Sequence, residues 1–185
     1  MSQPTDSPLN GFDALDVCHR QTIIALGRLA ALMVRLVEKG ADDEARALAH
    51  QVVAHFSSAA REHHLDEELH VFPTLLATGD ADTIQAVRRL QQDHAWLEED
   101  WLELAPLLDA IAGGQSWVDT DILREGVDVF VALSHEHMAL EESMIYPEAR
   151  ARLGDAARAV MAREMLERRR DAAATNRRSR RPVTT

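Results

Sequence analysis

A single cysteine, Cys18, leaves the chain unable to close a disulfide on itself, and without a Cys-x-x-Cys pair it cannot hold zinc or an iron–sulfur cluster through thiolates. Any metal must sit on nitrogen and oxygen. Aromatic residues are only 4% of the sequence and β-branched runs are scarce, which leaves little material for strands. Long apolar runs are absent too: the longest, around Ile23 to Val37, is broken by Arg28 and Arg35, which excludes a membrane span. The polar opening MSQPTDSPLNG has neither a basic nor an apolar region of the kind a secretory signal needs, so the protein is expected to be cytoplasmic. No Ser-His-Asp set, glycine-rich phosphate loop or dinucleotide fingerprint is found, and no catalytic residue is assigned.

Positive charge is scarce. A net charge of −11 over 185 residues argues against nucleic acid as a partner. The exception is the C-terminal end, where eight Arg stand against three acids from Arg163 onward. Residues 171–185, lacking any apolar period, are expected to form a disordered basic tail, and residues 1–11 a disordered N-terminus.

What is abundant is Ala, Leu, Glu and Arg, the composition of helices. Turn signals at Lys39-Gly40, Thr78-Gly79-Asp80, Gly113-Gly114 and Gly154-Asp155 divide the chain. They leave four long helical segments, about Asp13–Lys39, Asp42–Ala77, Asp82–Ile111 and Asp119–Leu153, and a shorter fifth from Asp155 to about Arg170. The expected fold is all-α: an antiparallel up-down four-helix bundle with a short C-terminal fifth helix, spanning residues 12–170 as one domain.

Each long segment carries a histidine on its apolar stripe when residues are placed at about 100° per position. His19 falls with Phe12, Leu15, Ile23, Leu26, Ala30, Met33 and Val37. His63 falls with Leu48, Val52, Phe56 and Ala59, His94 with Val87, Leu90, Trp101 and Leu108, and His137 with Phe130, Leu133 and Met144. His64 lies near the border, toward Ser57, Arg61 and Glu68. An imidazole in an apolar core is costly unless hydrogen-bonded or liganded. Two of these histidines have a carboxylate one turn on, Glu67 after His63 and Glu141 after His137. Four imidazoles and two carboxylates make a nitrogen and oxygen site that suits iron, manganese or zinc. Two carboxylates bridging two ions, each capped by two histidines, would use all six groups.

The chain also repeats itself: HHLDEELHVFP, from His63, aligns with HMALEESMIYP, from His137, and His19 and His94 stand at matching places ahead of them. The alternation of a lone His, His-x-x-x-Glu, a lone His and His-x-x-x-Glu resembles the hemerythrin-like, or HHE cation-binding, domain family over about residues 12–165. That resemblance implies a four-helix bundle around two iron ions joined by an oxo or hydroxo bridge, with manganese or zinc as alternatives, and a small ligand such as O2, nitric oxide or peroxide. The implied use is oxygen or redox sensing, iron handling or protection from oxidative or nitrosative stress. The implied role is binding rather than catalysis, with a di-iron oxidoreductase or an iron–sulfur cluster repair protein as the alternative. One departure stands out. Oxygen-carrying hemerythrins have a second histidine one turn after the lone one of the third helix, and here that place is Glu98.

Several further residues are expected near the centre. Glu98 is expected either as an additional ligand or as a residue standing behind the ligands; Glu68, Glu142 and Asp93 could hold the outer imidazole nitrogens. His70, two turns after His63, is expected in the pocket lining or behind the ligands. Phe56, Trp101, Phe130 and Met144 are expected to line a dry pocket. Cys18 is expected to be a buried small residue.

Overall fold

A computed structural model describes residues 10–179. Helix α1 (Gly11–Lys39) is followed by α2 (Asp43–Ala54), a five-residue π turn (His55–Ala59), α3 (Ala60–His70) and α4 (Phe72–Thr78). After Gly79 come α5 (Ala81–Ala112), α6 (Thr120–Leu140), a second π turn (Glu141–Ile145), α7 (Tyr146–Arg152) and α8 (Asp155–Ser179). The described chain is all-helical, as expected, and none of its helices is long and apolar enough to cross a membrane.

The helix starts are made by side-chain caps that accept otherwise unpartnered backbone N–H groups. Asn10 and Asp13 form a reciprocal capping box at α1, and Asp42, Asp80 and Asp119 cap the three long segments that follow. Gly40, at φ 72°, closes α1 in the left-handed region that only glycine enters cheaply.

The long segments are not the uninterrupted helices read from the sequence. The second contains the π turn at His55–Ala59 and a break at Val71; the fourth contains the π turn at Glu141–Ile145. Pro73 and Pro147, one residue into α4 and α7, lack the N–H that would continue a regular ladder. The stripe on α1 also differs. Leu15, Thr22, Leu29 and Leu36 are buried, whereas Ile23, Val37 and Ala30 are exposed. A seam recurring every seven residues has a period of about 3.5, so a stripe laid out at 3.6 drifts off it along a long helix.

α1 packs on α2, α2 on α5, α5 on α6, and α6 back on α1. Two apolar cores fill this ring. One, toward the α2 end, holds Leu29, Leu32, Val52, Leu108, Leu123 and Phe130; the other holds Phe12, Leu15, Phe72, Leu75, Leu90, Ile145 and Tyr146. Each fully buried leucine stabilises the fold by about 1.5–3 kcal/mol. Along α1, α3 and α5 the buried residues between the two cores include His19, His63, Glu67 and His94, with Thr22, Asp66 and Asp93 beside them, so a polar layer is clamped between apolar ones.

α8 is longer than the short fifth helix expected, continuing past Arg170 to Ser179 because Ala and Arg are good helix formers and no proline intervenes. Met161 and Met165 insert into the second core, and Arg168 and Arg169 pair with the two oxygens of buried Asp66 on α3. The expected disordered N-terminus is ordered from Asn10; residues 1–9, and 180–185 of the expected tail, lie outside the described residues.

Candidate metal centre

Four helices and a π turn deliver the polar layer: His19 from α1, His63 and Glu67 from α3, His94 from α5, His137 from α6 and Glu141 at the head of the second π turn. All six side chains are buried, Glu67 and Glu141 completely. Their ligand atoms gather into two groups, His19, His63, Glu67 and Glu141 in one and Glu67, His94, His137 and Glu141 in the other, so both carboxylates are shared. Glu141 turns Oε2 to His19 Nε2 at 3.1 Å and Oε1 to His137 Nε2 at 3.0 Å. Glu67 turns Oε1 to His63 Nε2 at 3.6 Å and Oε2 to His94 Nε2 at 3.4 Å.

These approaches do not satisfy the groups. Both nitrogens of His63, Nε2 of His94 and His137, Glu67 Oε2 and both oxygens of Glu141 are buried without a hydrogen-bond partner among the described residues. Each such atom costs about 1–3 kcal/mol if left alone. Lone pairs converging on common points from imidazole and carboxylate are what divalent first-row cations require. The donor set therefore fits metal ions better than it fits itself.

The strain shows in the acidities of the metal-free cluster. Burial and the negative Glu141 nearby push the Glu67 carboxyl up to about 7. Burial would raise Glu141 as well, but the His137 and His19 imidazoles beside it hold it well below the usual carboxylate range. His137 rises to about 10 against its own desolvation, because Glu141 and Asp93 face it. Burial keeps His63 and His64 neutral.

Three of the four outer imidazole nitrogens face a carboxylate, those expected from the sequence. His19 Nδ1 is 3.0 Å from Glu142, His94 Nδ1 is 3.2 Å from Glu68, and His137 Nδ1 approaches Asp93 at 3.7 Å. Gln91 steadies Glu68 by donating to its other oxygen at 2.8 Å. Such partners fix the tautomer and orientation of an imidazole.

Tyr146 was not singled out by sequence reasoning. Its hydroxyl donates to Glu67 Oε1 at 2.5 Å and lies 3.0 Å from His19 Nε2, and its ring stacks on His19. The residue at the matching place of the first repeat, Phe72, stacks on His94 without a hydroxyl. Only the alignment of VFP with IYP could have pointed to this pair. His64 was also placed differently: its ring stacks on His94 at 4.1 Å and its ligand atom groups with those of His94 and His137.

Three of the expected residues stand outside the two shared groups. Glu98 is in neither shared group; both its oxygens are taken by Arg61, a pairing open to solvent. His70 faces Arg168 at 3.1 Å and Glu164 on α8 rather than the centre. Met144 packs against the second core, and Met138 and Leu97 line the pocket instead.

The pocket is a cavity of about 40 Å³ between His19, His63, His64 and His137 on one side and the expected Phe56, Trp101 and Phe130 on the other. Phe56 sits edge-on to Phe130 at 5.0 Å, and Trp101 Nε1 donates to Ser57 Oγ at 3.2 Å, which fixes the wall. Phe56 and Ser57 belong to the first π turn, whose extra residue brings them here. Arg61 and Glu98 line the same cavity while more than two fifths exposed, so their ion pair lies at its solvent side. Cys18 is buried, and desolvation pushes its thiol up to about 12, which makes it inert.

A relative of this chain, an uncharacterized protein of Haemophilus influenzae, is 28% identical over 132 residues, which cover 71% of this chain and 74% of that protein. The family model of the hemerythrin HHE cation binding domain matches residues 10–149, the stretch that contains every histidine and carboxylate of the two shared groups. The chain belongs to the hemerythrin HHE cation-binding domain family.

Proposed function

We propose that this protein binds two iron ions in a bundle of four antiparallel up-down helical stretches and uses them to bind O2 or a similar small ligand. In this reading His19 and His63 hold one ion, His94 and His137 hold the other, and Glu67 and Glu141 bridge them. The observation that carries it is the pair of four-residue groups sharing the same two buried carboxylates, three of whose four oxygens have no hydrogen-bond partner among the described residues. Bound iron would supply a redox-active centre with a position open to a diatomic ligand.

The chain's own residues supply the rest. Glu142, Glu68 and Asp93 orient three imidazoles from behind, and Tyr146 holds Glu67 in place. Phe56, Trp101 and Phe130 exclude bulk water, and a cavity of about 40 Å³ has room for molecules the size of water, O2, nitric oxide or peroxide. Sensing, iron handling and protection from oxidative or nitrosative stress all draw on such a site.

The test is elemental analysis of the purified chain with its absorption spectrum before and after exposure to oxygen. Two irons per chain, a spectrum that responds to oxygen and a melting temperature that falls when the metal is removed are expected, since binding to the folded chain alone stabilises it by about 2.7 kcal/mol at a hundredfold excess over Kd. Zinc or no metal, or an unchanged midpoint after verified removal, would overturn the reading. Steady-state consumption of peroxide or nitric oxide with a reductant would make the protein an oxidoreductase instead of a binder.

A further inference from the structure

The two repeats do not enclose their halves of the centre alike, and the difference lies in a residue outside the six. His64 follows His63 on α3, yet its ring lies flat against His94, with centroids 4.1 Å apart and planes 15° apart, and edge-on to His137 at 5.4 Å. One ligand nitrogen from each of His64, His94 and His137 falls within 4.8 Å of the others. Ligands about 2.0–2.2 Å from a common ion stand about that far apart or closer. His64 makes no hydrogen bond among the described residues, lines the cavity, and is partly accessible from it. In the second repeat the residue that follows His137 is Met138, which lines the same cavity and offers no ring nitrogen.

We infer that His64 supplies a third imidazole to the ion held by His94 and His137, so that one metal position has five protein ligands and the other four. The inference rests on the dinuclear reading above. Two features of the surroundings favour it. Glu98, one turn after His94 on α5, is engaged at both oxygens by Arg61 and does not compete for the ion. The stack that His64 would leave to face the ion is a contact between two aromatic rings, small beside a metal–nitrogen bond. The rearrangement asked of His64 is a rotation of its side chain, which lines the cavity.

The experiment compares the full wild-type chain with His64→Ala and His64→Gln after anaerobic loading with ferrous iron. It reads iron per chain, release of iron to a chelator over time, and the number of imidazoles per iron from X-ray absorption. Wild-type protein should hold two irons with five imidazoles between them. Each variant should show four, and should release one of its two irons roughly tenfold faster or more. Added imidazole, entering the space vacated in His64→Ala, should slow that release again. Two irons in wild type and variants, with the same imidazole count and the same release rates, would overturn the role of His64 and leave the dinuclear reading standing. A changed ligand affinity with an unchanged imidazole count would do the same, making His64 a lining residue. A wild-type chain that takes up no iron pair would sink both. His64→Gln, which keeps the side chain's bulk, guards against a variant lost to misfolding, and a helical circular dichroism signal equal to wild type is required of both.

Discussion

Replacing Tyr146 by Phe keeps the ring that stacks on His19 and closes the second core, and removes one oxygen atom. That oxygen donates to Glu67 at 2.5 Å, where Tyr146 is about 1% exposed and Glu67 fully buried, so solvent screens nothing. A hydrogen bond to a charged, buried acceptor is worth about 1.5–3 kcal/mol. For a domain of this size each kcal/mol moves the midpoint by about 2–4 °C. Tyr146→Phe should therefore lower the melting temperature of the metal-free protein by roughly 3–12 °C at a pH of about 8.5, where the Glu67 carboxyl is ionised, followed by circular dichroism. The contact is isolated by a double-mutant cycle with Glu67→Gln, where a coupling of at least about 0.5 kcal/mol is expected between residues in direct contact. A metal-free Tyr146→Phe chain as stable as wild type, or a cycle with no coupling, would refute the argument that this hydroxyl holds the carboxylate.

Glu67 also gives a pH dependence with a definite sign. Its folded carboxyl lies near 7 against 4.5 in the free residue, so the folded metal-free chain binds the extra proton, and the stability due to Glu67 is full below 4.5 and lost as pH rises through 7. Glu67→Gln should gain on wild type by about 3 kcal/mol between those limits; a constant gap in denaturant titrations would contradict it. Asp66→Ala removes the buried acceptor of Arg168 and Arg169, and because both guanidinium groups reach water the cost should be about 1–3 kcal/mol, with faster proteolytic cleavage within α8. Cleavage at the wild-type rate would mean that the methionines alone hold α8. Arg61→Ala breaks an exposed pair and should change stability by less than about 1 kcal/mol while speeding azide entry into the iron-loaded protein in stopped flow. An unchanged association rate would show that the pair does not restrict the cavity.

The sequence carried the helical segmentation and the six convergent residues because both rest on spacing. His-x-x-x-Glu puts two groups on one face of a helix, and recurrence of the whole pattern is improbable in a core that needs only apolar volume. Glu68, Glu142 and Asp93 were legible for the same reason, each adjoining a group already placed. What escaped depends on interruptions to the helical period. The π turn at His55–Ala59 adds a residue ahead of α3, and Ala60 rather than Ala59 is buried while His64 swings from the border against His94. Tyr146 was hidden because Phe and Tyr fill the same volume, and the hydroxyl matters only when one knows what it touches. Glu98 was judged by its distance from His94 along the helix, but Arg61, from another helix, claims it. The α8 contacts were invisible because Met161 and Met165 are only two apolar anchors in a strongly charged helix.

The narrowness of the cavity bears on how electrons could enter. About 40 Å³ takes a diatomic, whereas pockets that seat an organic cofactor occupy roughly 300–1,000 Å³. A flavin or nicotinamide ring does not fit against the buried imidazoles, so electrons from a carrier of that size would have to reach a metal pair held there across protein. For a metal pair held there, Phe56, Leu97, Trp101 and Phe130 would serve as a sieve for molecules and as part of the barrier such electrons cross, and the thickness of that wall would set how fast the pair is reset.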